Sequence, residues 1–167
     1  MALQGEDLPQ NSRVVEICGG EVPNPEDVDP ASYFTAFQLP AESSTSAPCL
    51  LSGIKVFDSL DEPLQVLTDA DAIVPDYRQG VEESGGTLET EDLPSIGTQA
   101  SFWELICLRC DSPSLSFVIS FAYRNIGGVV FLTVADDKGE WRDEALIYAR
   151  ILINRVKSVL DEPAPTA

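Results

Sequence analysis

The side chains best suited to chemistry in this chain are four cysteines: Cys18, Cys49, Cys107 and Cys110. Paired thiols form disulfides, hold zinc or exchange with other thiols, and their spacing is the first guide. Cys107 and Cys110 form a C-x-x-C at the end of a strand pattern. A redox pair of that type needs a helix N-terminus to lower the thiol pKa. A zinc ribbon needs two such pairs, and Cys18 and Cys49 are single and far apart. An even count permits two disulfides in three pairings, and the sequence does not choose among them. The expected arrangement joins Cys107 to Cys110 through a bend at Leu108-Arg109, which Asp111-Ser112-Pro113 favours, and Cys18 to Cys49.

Histidine is absent from all 167 residues. That removes the commonest general base, metal ligand and pH switch together, leaving carboxylates, Tyr, Lys or thiolates for any catalysis. The expectation is a protein without enzymatic activity, catalytic residues or cofactor. The acidic turn Asp136-Asp137-Lys138-Gly139-Glu140, followed by Asp143 and Glu144, offers oxygen ligands for a hard cation. Its spacing is not an EF-hand, and Lys138 sits among the ligands. Asp143 and Glu144 have a simpler use at a helix N-terminus, with Arg150, Arg155 and Lys157 toward the other end, so no metal site is expected. Glu82-Glu83 and Glu89-Glu91-Asp92 read as solvated charge runs.

Acidic residues outnumber basic ones 28 to 10, a net charge of −18. Such a charge repels phosphates, which argues against nucleic acid and anionic membrane surfaces and favours solubility. Against that background Arg109, at a strand end, and Arg124, at a hairpin turn, are lone cations suited to a salt bridge or a bound carboxylate. Trp103 joins Tyr33, Phe34, Phe37, Phe102 and Trp141 as aromatics that suit either a core or an apolar cleft. With Ser120, on the small-residue face of a strand, Arg109, Arg124 and Trp103 are the expected ligand- or partner-binding residues.

The elements that must position these groups are most legible in the last third. Leu115, Phe117, Ile119, Phe121 and Tyr123 alternate as a strand with one apolar face, while Val118, Ser120 and Ala122 make the other face shallower. Arg124 to Gly128 reads as a turn and Val129 to Val134 as the return strand. Trp141, Ala145, Tyr148, Ala149, Leu152, Val156 and Val159 then recur at helical spacing. Upstream, strands are expected at 14–18, 33–39 and 49–57. A helix follows from Leu60 to Gly85-Gly86, with Asp58-Ser59 as cap candidates and Pro75 expected to kink or break it. An edge strand at 87–92 and a strand from Phe102 complete the order β-β-β-α-β-β-β-β-α. This predicts a single α+β domain over 1–160, an antiparallel sheet with two main helices, and a disordered tail at 161–167. Glu6-Asp7-Leu8-Pro9 recurs as Glu91-Asp92-Leu93-Pro94, read as two similar turn entries.

The layout resembles a family. Asp7-Leu8-Pro9 precedes the first strand, Val56-Phe57-Asp58-Ser59 leads into a helix, and Leu93-Pro94-Ser95-Ile96-Gly97 enters the later strands. A Tyr123-Arg124-Asn125 hairpin turn, a Val-Val-Phe strand and a final helix close the chain. This is similar to bacterial extracytoplasmic sensor-like and lipoprotein domains, such as the outer sensor domain of actinobacterial serine/threonine kinases and PsbP-like lipoproteins. The resemblance implies disulfide support and a non-catalytic binding cleft, placing the protein outside the cytoplasm or at the cell surface as an accessory subunit of a surface assembly. Its partner would be a protein or small ligand, with membrane association only through a segment absent here. Met1-Ala2-Leu3-Gln4-Gly5-Glu6 carries neither an export signal nor a lipobox, so a native start at Met1 implies the cytoplasm. The alternative function is then a cytoplasmic protein with a thiol or zinc site at Cys107 and Cys110.

Overall fold

The structure, a computed structural model, describes residues 2–15, 31–40, 47–107, 114–135 and 141–161. Seven strands form one antiparallel sheet in the order β1-β2-β3-β7-β6-β5-β4. They are β1 (Arg13–Val15), β2 (Ser32–Gln38), β3 (Cys49–Val56), β4 (Thr87–Asp92), β5 (Gln99–Cys107), β6 (Ser114–Tyr123) and β7 (Ile126–Val134). Helix α1 (Glu62–Glu83) joins β3 to β4, and α2 (Trp141–Asp161) follows β7. The expected α+β class and element order are observed.

The pleat assigns one helix to each face. Directly paired residues share a face, so Ser52, Val130, Ile119 and Phe102 lie in one row, and Gly53, Val129, Ser120 and Ser101 in the next row on the opposite face. The first face carries Phe117, Phe121 and Leu132 and packs on Ala145, Tyr148, Ala149, Leu152 and Val156 of α2. The second receives α1, which packs on β4, β5, β6 and β7. Because β4 is at the far edge, α1 must cross four strand spacings, about 19 Å, and 22 residues of helix reach about 33 Å.

Three local expectations are corrected. The hairpin loop is only Arg124-Asn125, with Arg124 at a φ of 53° and β7 already paired from Ile126. Gly127 and Gly128 are strand residues, not turn residues. Helix α1 runs through Pro75 without a break. Pro75 and Asp71, whose carbonyl loses its helical donor, are both exposed along an open cleft beside β4, where water can replace the missing hydrogen bond. Ser59 does serve the helix start: its hydroxyl accepts the Glu62 N–H at 3.3 Å, although the cap residue is Asp61. Asp161, placed in the tail from sequence, is the last residue of α2; residues 162–167 lie outside those described.

The repeated Glu-Asp-Leu-Pro is more than a turn entry. Arg155 of α2 donates to Asp7 at 2.8 Å and Glu6 at 2.9 Å, and Arg142 of α2 pairs with Glu91. The two leucines follow the same logic, Leu93 inside the core and Leu8 packed against it. Each copy thus sets a carboxylate on an arginine of α2 and a leucine beneath it. Arg124 completes the bracing from the hairpin tip, donating to the Leu160 carbonyl at 3.0 Å and to Asp161 at 2.7 Å. Basic residues are missing from the last turn of α2 itself, so Arg124 supplies the positive charge that the helix C-terminus favours.

Leu152 is 0% exposed at the centre of this packing, whereas Arg150 is exposed. Leu152→Ala is expected to lower stability by about 2–5 kcal/mol and Arg150→Ala by about 0.5 kcal/mol or less, read from urea unfolding midpoints. Tyr148 gives a pH test. Burial, then the charge of Glu144 and a hydrogen bond donated to it at 3.2 Å, push the phenol pKa well above its ordinary value. A raised pKa in the folded state contributes stability that is intact below the unfolded value of about 10 and lost as pH climbs beyond it. Wild type should therefore lose stability above about pH 10, and Tyr148→Phe should lose less over the same range.

Candidate functional site

An apolar concavity lies where the first turns of α1 pass over β3 and β7. It is an open apolar pocket of about 210 Å³ lined by Phe34, Gly53, Lys55 and Phe57 on one side and Pro63, Val66, Leu67 and Ala70 on the other, with Ser120, Gly127 and Val129 beneath. Its floor is low because the side chains there are small. A Cβ on Gly53 would stand 2.2 Å from the Phe34 ring, and one on Gly127 would stand 2.9 Å from the Phe57 ring. Both rings therefore lie across glycines, which is the close approach that justifies glycine inside a strand. Phe34 is nevertheless 54% exposed and Val66 is 51% exposed, so the mouth is apolar as well.

Lys55 is the one charged side chain among the described residues lining the pocket. Its ammonium lies 5.0 Å from the centre of the Phe57 ring, a cation–π distance. The lining otherwise offers the Ser120 hydroxyl as its polar side chain, and no acid or nucleophile with a base beside it. The arrangement can desolvate an apolar group and orient it; it holds no acid–base pair.

A second, polar cleft sits farther along α1, where Asp71, Val74, Pro75 and Arg78 face Thr90, Glu91, Asp92 and Ser101. Desolvation and, after it, the nearby Asp92 raise the pKa of Asp71. Arg78 donates its Nε to the Leu88 carbonyl at 3.1 Å and an Nη to Thr90 at 3.4 Å. Asp71 and Asp92 are both exposed, and among the described residues no group of three or more metal-ligating side chains occurs.

Of the described residues expected at a binding site, Ser120 lines the apolar pocket, joined by Phe34 from the aromatics expected in a core or cleft. Trp103 lies on the same face under the later turns of α1, its ring 6.3 Å from Tyr77 and its indole N–H buried without a partner among the described residues. Arg124 is engaged with the end of α2. Arg109, Cys18, Cys110 and the acidic turn 136–140 lie outside the described residues. Phe37 and Phe102 are core, Trp141 packs against it, and Tyr33 is exposed. The sequence reading missed Phe57, Lys55, Val66, Ala70 and both floor glycines. Their signal was present in Gly53 and Gly127, glycines between strand-forming residues.

Cys49 and Cys107 are both disulfide-bonded. They cannot be bonded to each other. Cys49 is level with Thr133, Ser116 and Leu105 along the strand registers, so Cys107 lies three strands away, at about 14 Å or more, against a Cα limit near 7 Å. The Cys18–Cys49 and Cys107–Cys110 pairing lies outside the described residues. It is expected in a non-reducing peptide map; a peptide linking Cys18 to Cys107 would contradict it, as would four alkylatable thiols.

No family model matches the chain, and no curated protein matches it. Among the described residues no helix is long and apolar enough to cross a membrane.

Proposed function

We propose that the protein is a non-enzymatic, extracytoplasmic binding module, an accessory subunit of a surface assembly, whose binding site is the apolar pocket under α1. One observation carries the reading: the fold keeps an open apolar pocket, floored by glycines and edged by a half-exposed phenylalanine, where larger side chains would have closed it. Apolar groups at solvent-facing concavities are the ordinary mark of recognition surfaces. The absence of histidine from the sequence and the apolar lining support binding over catalysis. The disulfide state of Cys49 and Cys107 suits an oxidising compartment, in keeping with the layout resemblance.

Indole serves as a probe of the pocket. In an amide chemical-shift titration it is expected to perturb Gly53, Lys55, Gly127, Val129 and the first turns of α1, and little else. Ser120→Arg, from the sheet side, and Ala70→Phe, from the helix side, should each remove those shifts while circular dichroism stays unchanged. Scattered or absent shifts in wild type would falsify the reading, and so would a hydrolase or redox activity of the purified protein.

A further inference from the structure

We infer that the pocket under α1 takes one bulky apolar side chain presented by a positively charged segment of a partner protein. This rests on the proposal that the pocket is the binding site, and it adds the chemistry of the occupant.

Size comes first. A volume of about 210 Å³ exceeds the ~150 Å³ apolar cavity known to admit benzene but falls short of the ~300–1,000 Å³ typical of sites for drug-sized ligands. One aromatic ring or branched chain fills it. The rest of the contact must then be made outside the pocket, on the exposed Phe34 and Val66 that form its lip. A central anchor in a pocket with an apolar collar is how protein interfaces concentrate their affinity.

Charge selects the class of partner. Asp58 follows Phe57, Asp61 and Glu62 precede Pro63, and Asp69 lies between Val66 and Ala70; these four exposed carboxylates outnumber Lys55, the one charged side chain of the described lining. Across the sequence the net charge is −18. The field at the pocket mouth therefore opposes a fatty carboxylate or any other anionic amphiphile and attracts a segment rich in lysine and arginine.

Three fluorophore-labelled peptides test this by anisotropy on the whole protein: a lysine-flanked tryptophan peptide, its glutamate-flanked twin, and the lysine-flanked peptide with alanine replacing tryptophan. The first is expected to bind at least about tenfold more tightly than either of the others, and to weaken by about tenfold or more between about 50 and 500 mM salt. Asp61→Asn with Glu62→Gln should reduce that salt dependence, and Ser120→Arg should remove binding with the fold intact. Equal binding of the lysine and glutamate peptides overturns the charge selection while leaving the pocket as the site. Equal binding of the tryptophan and alanine peptides overturns the anchor. Indole binding with no peptide binding makes this a small-molecule site and overturns the inference alone, whereas failure of indole as well removes the binding reading beneath it.

Discussion

The pleat of the β6–β7 hairpin is the constraint on which the rest of the molecule depends. These strands sit at the centre of the sheet, so both faces need cover, and neighbouring residues must serve opposite layers. Phe117, Ile119 and Phe121 give one layer a thick apolar surface that holds α2. Val118, Ser120 and Ala122 give the other a thin one, on which α1 lies as the crossover between β3 and β4. A one-residue slip in register would exchange the two surfaces and leave both helices with the wrong partner.

The charge imbalance shapes how α2 is held. With 10 basic residues in the chain, three arginines meet at this helix: Arg142 near its start, Arg155 near its end, and Arg124 reaching over from the hairpin tip. Each is partly exposed, so each pair contributes at most about 1 kcal/mol, far less than the apolar face beneath. Their value is in direction. The two Glu-Asp-Leu-Pro segments enter from opposite sides of the sheet order, ahead of β1 and at the end of β4, and each ties its own edge of the domain to α2. In a chain that repels itself, placing the scarce cations where two elements must meet offsets repulsion at those seams.

Periodicity made most of the architecture legible. Alternation over Leu115–Tyr123 and helical spacing from Trp141 to Val156 are properties of single segments, and both are observed; Val159, expected on the same buried stripe, is instead 52% exposed because the helix end runs past the sheet core. The errors arose where a residue's meaning depends on its neighbours in space. Gly127-Gly128 after Arg124-Asn125 has the composition of a long turn, yet the glycines belong to the strand because Phe57 and Phe121 lie across them. Pro75 is a helix breaker by its chemistry, but on a solvent face it is tolerated. The pocket was partly legible through Ser120 and Phe34. Phe57, Lys55 and Ala70 were not, because only the crossover of α1 brings residues distant in sequence over the same patch of sheet.

That crossover also explains why a pocket forms at this place. Helix α1 must leave β3, turn, and travel diagonally to β4, so its first turns pass over β3 and β7 before its later turns settle against β5 and β4. Close packing along the whole path would need side chains of graded height beneath it. The later turns have them in part, with Trp103 meeting Tyr77, while beside Arg78 the polar cleft remains open. Under the first turns the strands present Gly53, Gly127 and Ser120, and each glycine costs the strand roughly 0.5–1 kcal/mol relative to alanine. Alanine would raise the floor, but its Cβ would drive Phe34 or Phe57 from its seat. The same choice that lets two rings lie across the glycines therefore leaves the space between them and the helix unfilled. The opening is a product of how the rings are seated, and an occupant that fills it completes a layer of packing that the chain's own side chains leave unfinished.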